Sequence, residues 1–115
     1  MNKRGVFPWA VKSKSKYGNR RVMYDGINFD SKKECRVYQN LLLMKRCGEV
    51  LKFDRQVTYK LPVNGVHVCS YRADFVVTFK DGRVEVWDAK GYKTDVYLLK
   101  KKLVKAVYGI DIKEV

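Results

Sequence analysis

Asp88 and Lys90, separated by Ala89, are the residue types in this chain most suited to chemistry. In a β-strand, residues i and i+2 point the same way, so this carboxylate and this ammonium lie side by side, about 7 Å apart at the backbone. Val84 and Val86 share that face, so the pair closes an otherwise apolar row. The pattern fits either a structural ion pair at the end of a sheet or part of a phosphate site, because Asp-x-Lys also occurs by chance in a charged sequence.

A second acid, Asp74, interrupts the hydrophobic run of the preceding strand. Burying a carboxylate is costly unless it is paired with a cation or bound to a metal. Asp74 and Asp88 on neighbouring strands, with Lys90 beside them, therefore make a natural site for Mg²⁺ and a phosphate. Mg²⁺ takes oxygen ligands and keeps several waters, so one or two carboxylates suffice.

The turn that contains Gly82 decides whether the two aspartates share a face of the sheet. A two-residue turn would leave Asp74 and Asp88 on opposite faces, whereas a three-residue loop over residues 80–82 sets them directly across from each other. A type I turn followed by a glycine in the left-handed region gives that longer loop. We therefore predict a positive φ at Gly82 and carboxyl groups within roughly 4–6 Å of each other.

Glu34 is a third candidate, in the first turn of a predicted helix. Ser31, three residues earlier, forms with it the pattern of a capping box. With about 100° of rotation per residue, Tyr38 and Leu41 lie within about 80° of Glu34, which places it on the face expected to pack on the sheet. Glu34 can therefore close the cap, contribute to the metal site, or do both, because a first-turn glutamate lies at an open helix end.

The elements that must position these residues are predicted from hydrophobic periodicity and turn signals. A small hairpin is expected over residues 21–29, and a helix begins after Ser31 and ends at Gly48. Three strands joined by Asn-Gly and Asp-Gly turns follow, at residues 52–61, 66–79 and 83–90. In the first of these strands, alternation puts one set of residues on a shared side: Phe53, Val57, Tyr59 and Leu61.

A second helix is predicted between Thr94, a good N-cap, and Gly109, which ends it. Its apolar stripe consists of Val96, Leu99, Leu103, Ala106 and Val107. A short strand at residues 110–114 completes the order α-β-β-β-α-β. Because this helix crosses over between strands that should be parallel, we expect an α/β fold whose mixed sheet has a helix packed on each side.

A formal net charge of +13 on 115 residues points to a polyanionic partner, since so much like charge repels itself within a small domain. Basic residues crowd the first 22 positions, which contain no acid, and the run 100–102. Neither segment is the amphipathic helix of a membrane-surface protein, and no apolar run approaches the roughly 20 residues of a membrane helix. Nucleic acid is therefore the expected partner, and a merely soluble basic protein is the alternative.

In this order of elements, Glu34, Asp74, and Asp88 with Lys90 resemble the PD-(D/E)xK nuclease superfamily. That superfamily has an α-β-β-β-α-β, restriction-endonuclease-like core with a Glu on the first helix, an Asp on the second strand and (D/E)-x-K on the third. The likeness covers roughly residues 20–115 and is nearest to small phage-encoded nuclease-like proteins, with a more distant similarity to Holliday-junction resolvases. Ala73 stands where the superfamily has its proline, and Asp88 stands where Glu is more frequent.

The resemblance implies a Mg²⁺-dependent DNA endonuclease, selective for junction or branched DNA, in phage or mobile-element recombination or repair. It implies that Asp74, Asp88 and the Ala89 carbonyl hold Mg²⁺, which Mn²⁺ can replace, with Glu34 as an outer ligand. Lys90 would orient the attacking water or stabilise charge in the transition state. The alternative is a noncatalytic nucleic-acid-binding accessory protein on a degenerate nuclease fold, although a pure binder has little reason to keep three acids facing a polyanion.

We expect a flexible basic arm at residues 1–18 and a nuclease-like domain at residues 19–115. The partner expected for both is DNA. The basic residues expected to contact it are Lys12, Lys14, Lys16, Arg20, Arg21, Lys93, Lys100 and Lys102. On the second helix, Lys100 and Lys102 flank the apolar stripe, whereas Lys101 is expected to point away from it. An exposed Leu43 would suit a homodimer contact, and no small-molecule ligand is expected.

The numbers of cysteines and histidines indicate the cellular compartment and exclude some classes of metal and catalytic site. The single histidine excludes His-based zinc sites and makes a Ser-His-Asp triad improbable. Three widely spaced cysteines form neither a disulfide framework nor a metal pair, which indicates reduced thiols. With no apolar segment after the basic N-terminus, no signal peptide is predicted, and we expect a cytoplasmic protein, in the host cytoplasm if phage-encoded.

Overall fold

The computed structural model describes residues 21–89 and 92–115. Over this part of the chain the elements are, in order, β1 (Val22–Tyr24), β2 (Ile27–Phe29), α1 (Lys32–Arg46), β3 (Val50–Val63), β4 (Val66–Phe79), β5 (Val84–Asp88), α2 (Asp95–Tyr108) and β6 (Ile112–Glu114). The chain forms two units, residues 1–36 and residues 37–115, and the boundary between them falls within α1. The order after the hairpin confirms the predicted α-β-β-β-α-β core.

The first unit contains the predicted hairpin and the start of α1. Strands β1 and β2 pair antiparallel. Asp25 and Gly26 between them have φ values of 57° and 75°, the positive values that a two-residue hairpin turn requires. Ser31 caps α1, because its Oγ accepts a hydrogen bond of 3.1 Å from the N–H of Glu34.

The second unit contains one four-stranded sheet, in the order β3-β4-β5-β6. Its first three strands are antiparallel neighbours, and β5 and β6 are parallel. Helix α2 connects those two parallel strands, which need a crossover connection of this kind. The fold is therefore α/β with a mixed sheet, as the sequence predicts.

Within the second unit, α2 and the part of α1 from residue 37 onward pack on opposite faces of this sheet. On one face, Tyr38 of α1 packs edge-on against Phe53 at 5.7 Å between ring centroids, and Phe53 packs against Phe75 at 6.2 Å. Phe75 pairs with Trp87, and the next residue of β5, Val86, points to the other face. There a second buried cluster includes residues of α2 and consists of Leu61, Tyr71, Ala73, Val86, Tyr97, Val104 and Ile112.

The alternation of side chains in β3 reverses at Gln56, which lies opposite Asp74. The two strands keep the same register on either side of this point, but the ladder skips Gln56, whose φ is 55°. As a result Phe53 lies on the α1 face, whereas Leu61 lies in the α2 cluster. The prediction of one shared side along residues 52–61 is therefore wrong, because strict alternation holds only where the backbone is regular at every residue.

Helix α2 faces the sheet with a different side from the predicted one. Tyr97 and Val104 are buried, whereas Val96 and Leu99 of the predicted stripe are 62% and 58% exposed. Adjacent residues lie about 100° apart around a helix, so α2 is rotated by about one residue. Lys101, expected to point away from the core, lies half-buried on the sheet side. The reason is that tyrosine and lysine side chains bury their apolar parts while their polar ends reach hydrogen-bond partners. A stripe defined by aliphatic residues alone leaves out both residue types.

Candidate functional site

The turn between β4 and β5 has the predicted three-residue form. Gly82 has a φ of 91°. The N–H of Phe79 donates to the Arg83 carbonyl at 2.8 Å, and the N–H of Gly82 donates to the Phe79 carbonyl at 3.0 Å. The φ of Gly82 and the pairing of Phe79 with Arg83 are therefore both confirmed.

This register brings Asp74 and Asp88 to the same end of the β4–β5 pair. The ladder of β4 and β5 extends to the pair Phe75 and Trp87, so the next residues along are the two aspartates. The N–H of Ala89 donates to Asp74 Oδ2 at 2.8 Å, which ties Asp74 to the end of β5. Both side chains therefore lie at the same end of this strand pair, while the predicted separation of their carboxyl groups stays a prediction.

Asp74 is held by a side chain that sequence reasoning did not single out. Gln56 Nε2 donates to Asp74 Oδ1 at 3.4 Å, while the Ala89 N–H occupies Oδ2. Gln56 is the residue with positive φ at which β3 changes face. The irregularity of β3 therefore brings an amide donor to the candidate site, and no local sequence signal marks it.

Asp88 is fully buried and is hydrogen-bonded to Tyr71, a residue of the hydrophobic core. The Tyr71 hydroxyl donates to Asp88 Oδ2 at 2.5 Å, and Asp88 is 0% exposed. Burial, the hydrogen bond and the negative charge of Asp88 raise the pKa of Tyr71 well above its ordinary value, so the hydroxyl stays protonated and donates. A carboxylate anchored through one oxygen has a fixed orientation, which is what a metal ligand requires.

Besides burial, the negative charges of Asp74 and Asp88 raise the pKa of two tyrosine hydroxyl groups, those of Tyr71 and Tyr97, on the α2 face of the sheet. Burial, a hydrogen bond to Glu114 and the charges of Asp88 and Asp74 raise the pKa of Tyr97. The charges of the same two aspartates contribute to the raised pKa of Tyr71. The candidate site therefore lies on the side of the sheet that α2 covers.

Glu114, at the end of β6, is a further charged residue beside the candidate site. It pairs with Asp88 in the parallel register of β5 and β6. Glu114 Oε2 accepts hydrogen bonds of 2.9 Å from the Tyr97 hydroxyl and from Lys101 Nζ, and Oε1 lies 2.9 Å from Lys93 Nζ. Hydrogen bonds from the two lysines and the tyrosine lower the pKa of Glu114 to about 2, so it is ionised at neutral pH.

Sequence reasoning missed Glu114, although a signal for it is present. Val86 and Asp88 share a strand face, and Ile112 and Glu114 repeat that spacing of a buried aliphatic residue followed by an acid. In the structure Val86 pairs with Ile112, so the two patterns lie side by side. Comparing the last strand with the third strand in parallel register would have identified it.

Glu34 lies in the first unit, in the first turn of α1, and is 4% exposed. Its N–H donates to the cap residue, Ser31, which confirms the cap by Ser31, whereas closure of the capping box by the Glu34 carboxylate stays a prediction. Asp74 and Asp88 belong to the second unit. A role for Glu34 as an outer metal ligand stays a prediction.

The candidate site offers a cation the carboxylates of Asp74 and Asp88. Over residues 21–89 and 92–115, no group of three or more His, Cys, Asp or Glu side chains is arranged to hold a metal ion. Mg²⁺ does not require such a group, because it keeps several waters and is bound through one or two carboxylates. The donor set therefore fits Mg²⁺, and a contribution from the Ala89 carbonyl stays a prediction.

The basic residues predicted to contact nucleic acid are only partly covered by the structure. Outside the described residues lie the catalytic candidate Lys90 and the arm residues Lys12, Lys14, Lys16 and Arg20. Arg21, Lys93 and Lys102 are exposed and Lys100 is half-buried. Their contact with DNA stays a prediction, and Lys93 Nζ lies 2.9 Å from Glu114 Oε1.

Comparison with known proteins gives a family and no function. No curated protein and no solved structure is significantly similar to the chain. Neither helix in the described part of the chain is long and apolar enough to cross a membrane. Residues 14–114 match the model of a family described as "Protein of unknown function (DUF1064)". Because that match extends over almost the whole sequence, the chain belongs to the DUF1064 family.

Proposed function

We propose that this protein is a Mg²⁺-dependent DNA endonuclease that hydrolyses phosphodiester bonds, with junction or branched DNA as its substrate class. One observation carries the proposal: the register of β4 and β5 pairs Phe75 with Trp87 and so brings the next residues, Asp74 and Asp88, to the same end of this strand pair. The likeness of these aspartates, with Lys90, to the motif of the PD-(D/E)xK superfamily supports it. The net charge of +13 supports a polyanionic substrate.

Each residue of the site has a defined part in this proposal. Asp74 and Asp88 would bind Mg²⁺ through their carboxylate oxygens. When bound, Mg²⁺ polarises a phosphate and lowers the pKa of the attacking water. Tyr71 holds Asp88 and the Ala89 N–H holds Asp74, so both carboxylates are oriented in advance. Lys90, two residues after Asp88, would stabilise the negative charge that develops on the phosphate.

A noncatalytic accessory protein that binds nucleic acid on the same fold is the second candidate. The net charge of the chain favours both candidates equally. The fully buried Asp88 favours the enzyme, because a buried carboxylate costs desolvation free energy and repels a polyanion. DNA binding alone does not call for such a carboxylate.

Cleavage of a four-way junction, a flap, a linear duplex and a single strand, each with Mg²⁺ or with EDTA, tests the proposal. The wild type should cut a branched substrate with Mg²⁺ and not with EDTA. Asp74→Asn and Asp88→Asn keep the size of the side chain, and each should slow cleavage about 100-fold or more. Both variants should bind DNA at least as tightly as the wild type, because a like charge is removed.

Asp111→Asn is the matched control for the loss of one negative charge. Asp111 lies just before β6, is exposed, and pairs with Lys105 at 2.9 Å. Its cleavage rate should stay close to that of the wild type. DNA binding without cleavage under any condition would overturn the nuclease and support the accessory protein. An equal loss of activity in all three variants would remove the site from Asp74 and Asp88.

A further inference from the structure

Lys93 and Lys101 converge on a single carboxylate, that of Glu114. Lys93 Nζ lies 2.9 Å from Glu114 Oε1, and Lys101 Nζ lies 2.9 Å from Glu114 Oε2. The three side chains, named the lysine clamp below, therefore carry a net charge of +1. An ammonium group has three N–H donors, so a bond to Glu114 leaves each lysine able to bind a further anionic oxygen.

The lysine clamp lies beside the proposed metal site. Glu114 pairs with Asp88 in the parallel register of β5 and β6, and the N–H of Val115 donates to the Asp88 carbonyl at 3.0 Å. Neighbouring strands are about 4.8 Å apart, so an anion bound by the clamp would lie next to the site and not on it. This position is where a strand of DNA approaching the aspartates would need a cationic contact.

In the lysine clamp, the Glu114 carboxylate is fixed from the core and the two lysine side chains are partly exposed to solvent. Tyr97 is 4% exposed, and its hydroxyl donates to Glu114 Oε2 at 2.9 Å, so the carboxylate is fixed from the core. The side chains of Lys93 and Lys101 are 52% and 36% exposed. Their ammonium groups are therefore held in place at one end of the sheet while remaining open to a ligand from solution.

A network of ion pairs that only stabilises the fold is the alternative explanation. Exposed ion pairs contribute only about 0–1 kcal/mol, because water and salt screen them. Two cations around one anion also leave excess positive charge, which a purely stabilising pair does not need. That excess offsets the repulsion that a phosphate meets near Asp74 and Asp88. The arrangement therefore suits an anion-binding role better than a structural one.

We propose that Lys93 and Lys101, held together by Glu114, bind a DNA backbone phosphate next to the scissile one. This inference rests on the proposed function, because it takes DNA as the substrate. Glu114 is a positioning residue in it, since it touches the lysines and not the phosphate. The sequence predicts a nucleic-acid contact for Lys93, and the structure adds Lys101 and Glu114 to it.

DNA affinity measured in EDTA, where Mg²⁺-dependent cleavage cannot occur, tests the clamp. Lys93→Met and Lys101→Met remove one ammonium each and keep an unbranched side chain, and each should raise Kd about tenfold at low salt. The double variant should raise it clearly less than the product of the two, because both lysines contact one phosphate. Its slope of log K against log[salt] should be flatter than that of the wild type by about 0.9.

Lys113→Met is the matched control, with the same loss of charge from the same strand. Lys113 lies next to Glu114 on β6 but points to the opposite face, where its Nζ lies 3.7 Å from Glu85 and 5.2 Å from the centroid of the Trp87 ring. Its Kd should change far less than that of either clamp variant. Similar Kd values for Lys113→Met and the two clamp variants would overturn the clamp, even if the wild type cleaves DNA.

Glu114→Gln tests the positioning role separately from charge. Removing a negative charge favours binding of a polyanion by itself, so the informative quantity is coupling. The rise in Kd caused by Lys93→Met should shrink in the Glu114→Gln background, because Lys93 is then no longer held. An unchanged rise would assign Glu114 a merely structural role. A wild type that never cleaves would overturn the nuclease, while the Kd values in EDTA would still decide the clamp.

Discussion

Tyr71 and Asp88 are joined by a buried hydrogen bond of 2.5 Å, from the tyrosine hydroxyl to Asp88 Oδ2. Tyr71 is 3% exposed and Asp88 is 0% exposed. Tyr71 also packs in the cluster that anchors α2, at 6.4 Å from the ring of Tyr97. The orientation of a proposed metal ligand is therefore set from within the hydrophobic core, so stability and site geometry depend on the same contact.

Tyr71→Phe should lower both the free energy of unfolding and the cleavage rate. A hydrogen bond to a charged group contributes about 1.5–3 kcal/mol, so a loss of that size is expected in urea denaturation. The matched control is Tyr108→Phe, which removes a hydroxyl that donates to the Lys60 carbonyl at 2.6 Å at an exposed position. Its loss should be smaller and its cleavage rate unchanged. A cleavage rate equally unchanged in Tyr71→Phe would show that the bond does not position Asp88.

Glu114 should make stability depend on acid pH. Lys93, Lys101 and Tyr97 lower its pKa from the ordinary value of 4.5 to about 2. Because the pKa is lower in the folded state, the stabilisation is present above pH 4.5 and is lost as the pH falls toward 2. Glu114→Gln should thus have a lower free energy of unfolding than the wild type at pH 7. The two free energies should converge as the pH falls from 4.5 toward 2. A difference that stays constant with pH would contradict this account of the ion pairs.

Gly82→Ala should destabilise the hairpin through backbone strain alone. Gly82 has a φ of 91°, and an added Cβ would meet nothing within 4 Å. A left-handed conformation costs a residue with a side chain about 1–2 kcal/mol. Gly82→Asn should cost less, because asparagine tolerates positive φ. Equal losses for the two variants in urea denaturation would show that φ at this turn is not what limits the choice of residue.

The rotation of α2 predicts opposite outcomes for two of its aliphatic residues. Leu99 is 58% exposed, so Leu99→Gln should change the free energy of unfolding by less than about 0.5 kcal/mol. Val104 is 0% exposed, so Val104→Thr buries a hydroxyl at unchanged size and should cost about 1–3 kcal/mol. A larger loss for Leu99→Gln would instead support the stripe that the sequence indicates.

Local signals were sufficient to predict the elements and the turn that positions the two aspartates. Gly82 has its predicted positive φ, and Thr94 caps α2 by accepting a hydrogen bond of 3.0 Å from the N–H of Tyr97. Both features depend on conformational needs that are satisfied within a few residues of the chain. The register of β4 and β5 follows from the turn as far as the pair Phe75 and Trp87, so it could be predicted in the same way.

Features that depend on distant parts of the chain could not be predicted in this way. The face change at Gln56 arises where the β3–β4 ladder skips this residue, which no periodicity in β3 reveals. The orientation of α2 depends on where Tyr97 and Lys101 find Glu114, a residue at the end of the last strand. Polar contacts between distant elements outweigh the aliphatic stripe, and for this reason the lysine clamp was also missed.

Metal binding by the two aspartates is the most direct test of the central claim, that Asp74 and Asp88 share one divalent cation. Titration calorimetry with Mn²⁺, in the absence of DNA, should give one site per wild-type chain. Asp74→Asn and Asp88→Asn should each weaken binding at least about tenfold, while Asp111→Asn should bind as the wild type does. Absence of Mn²⁺ binding by the wild type, or equal affinity in all four proteins, would contradict the account.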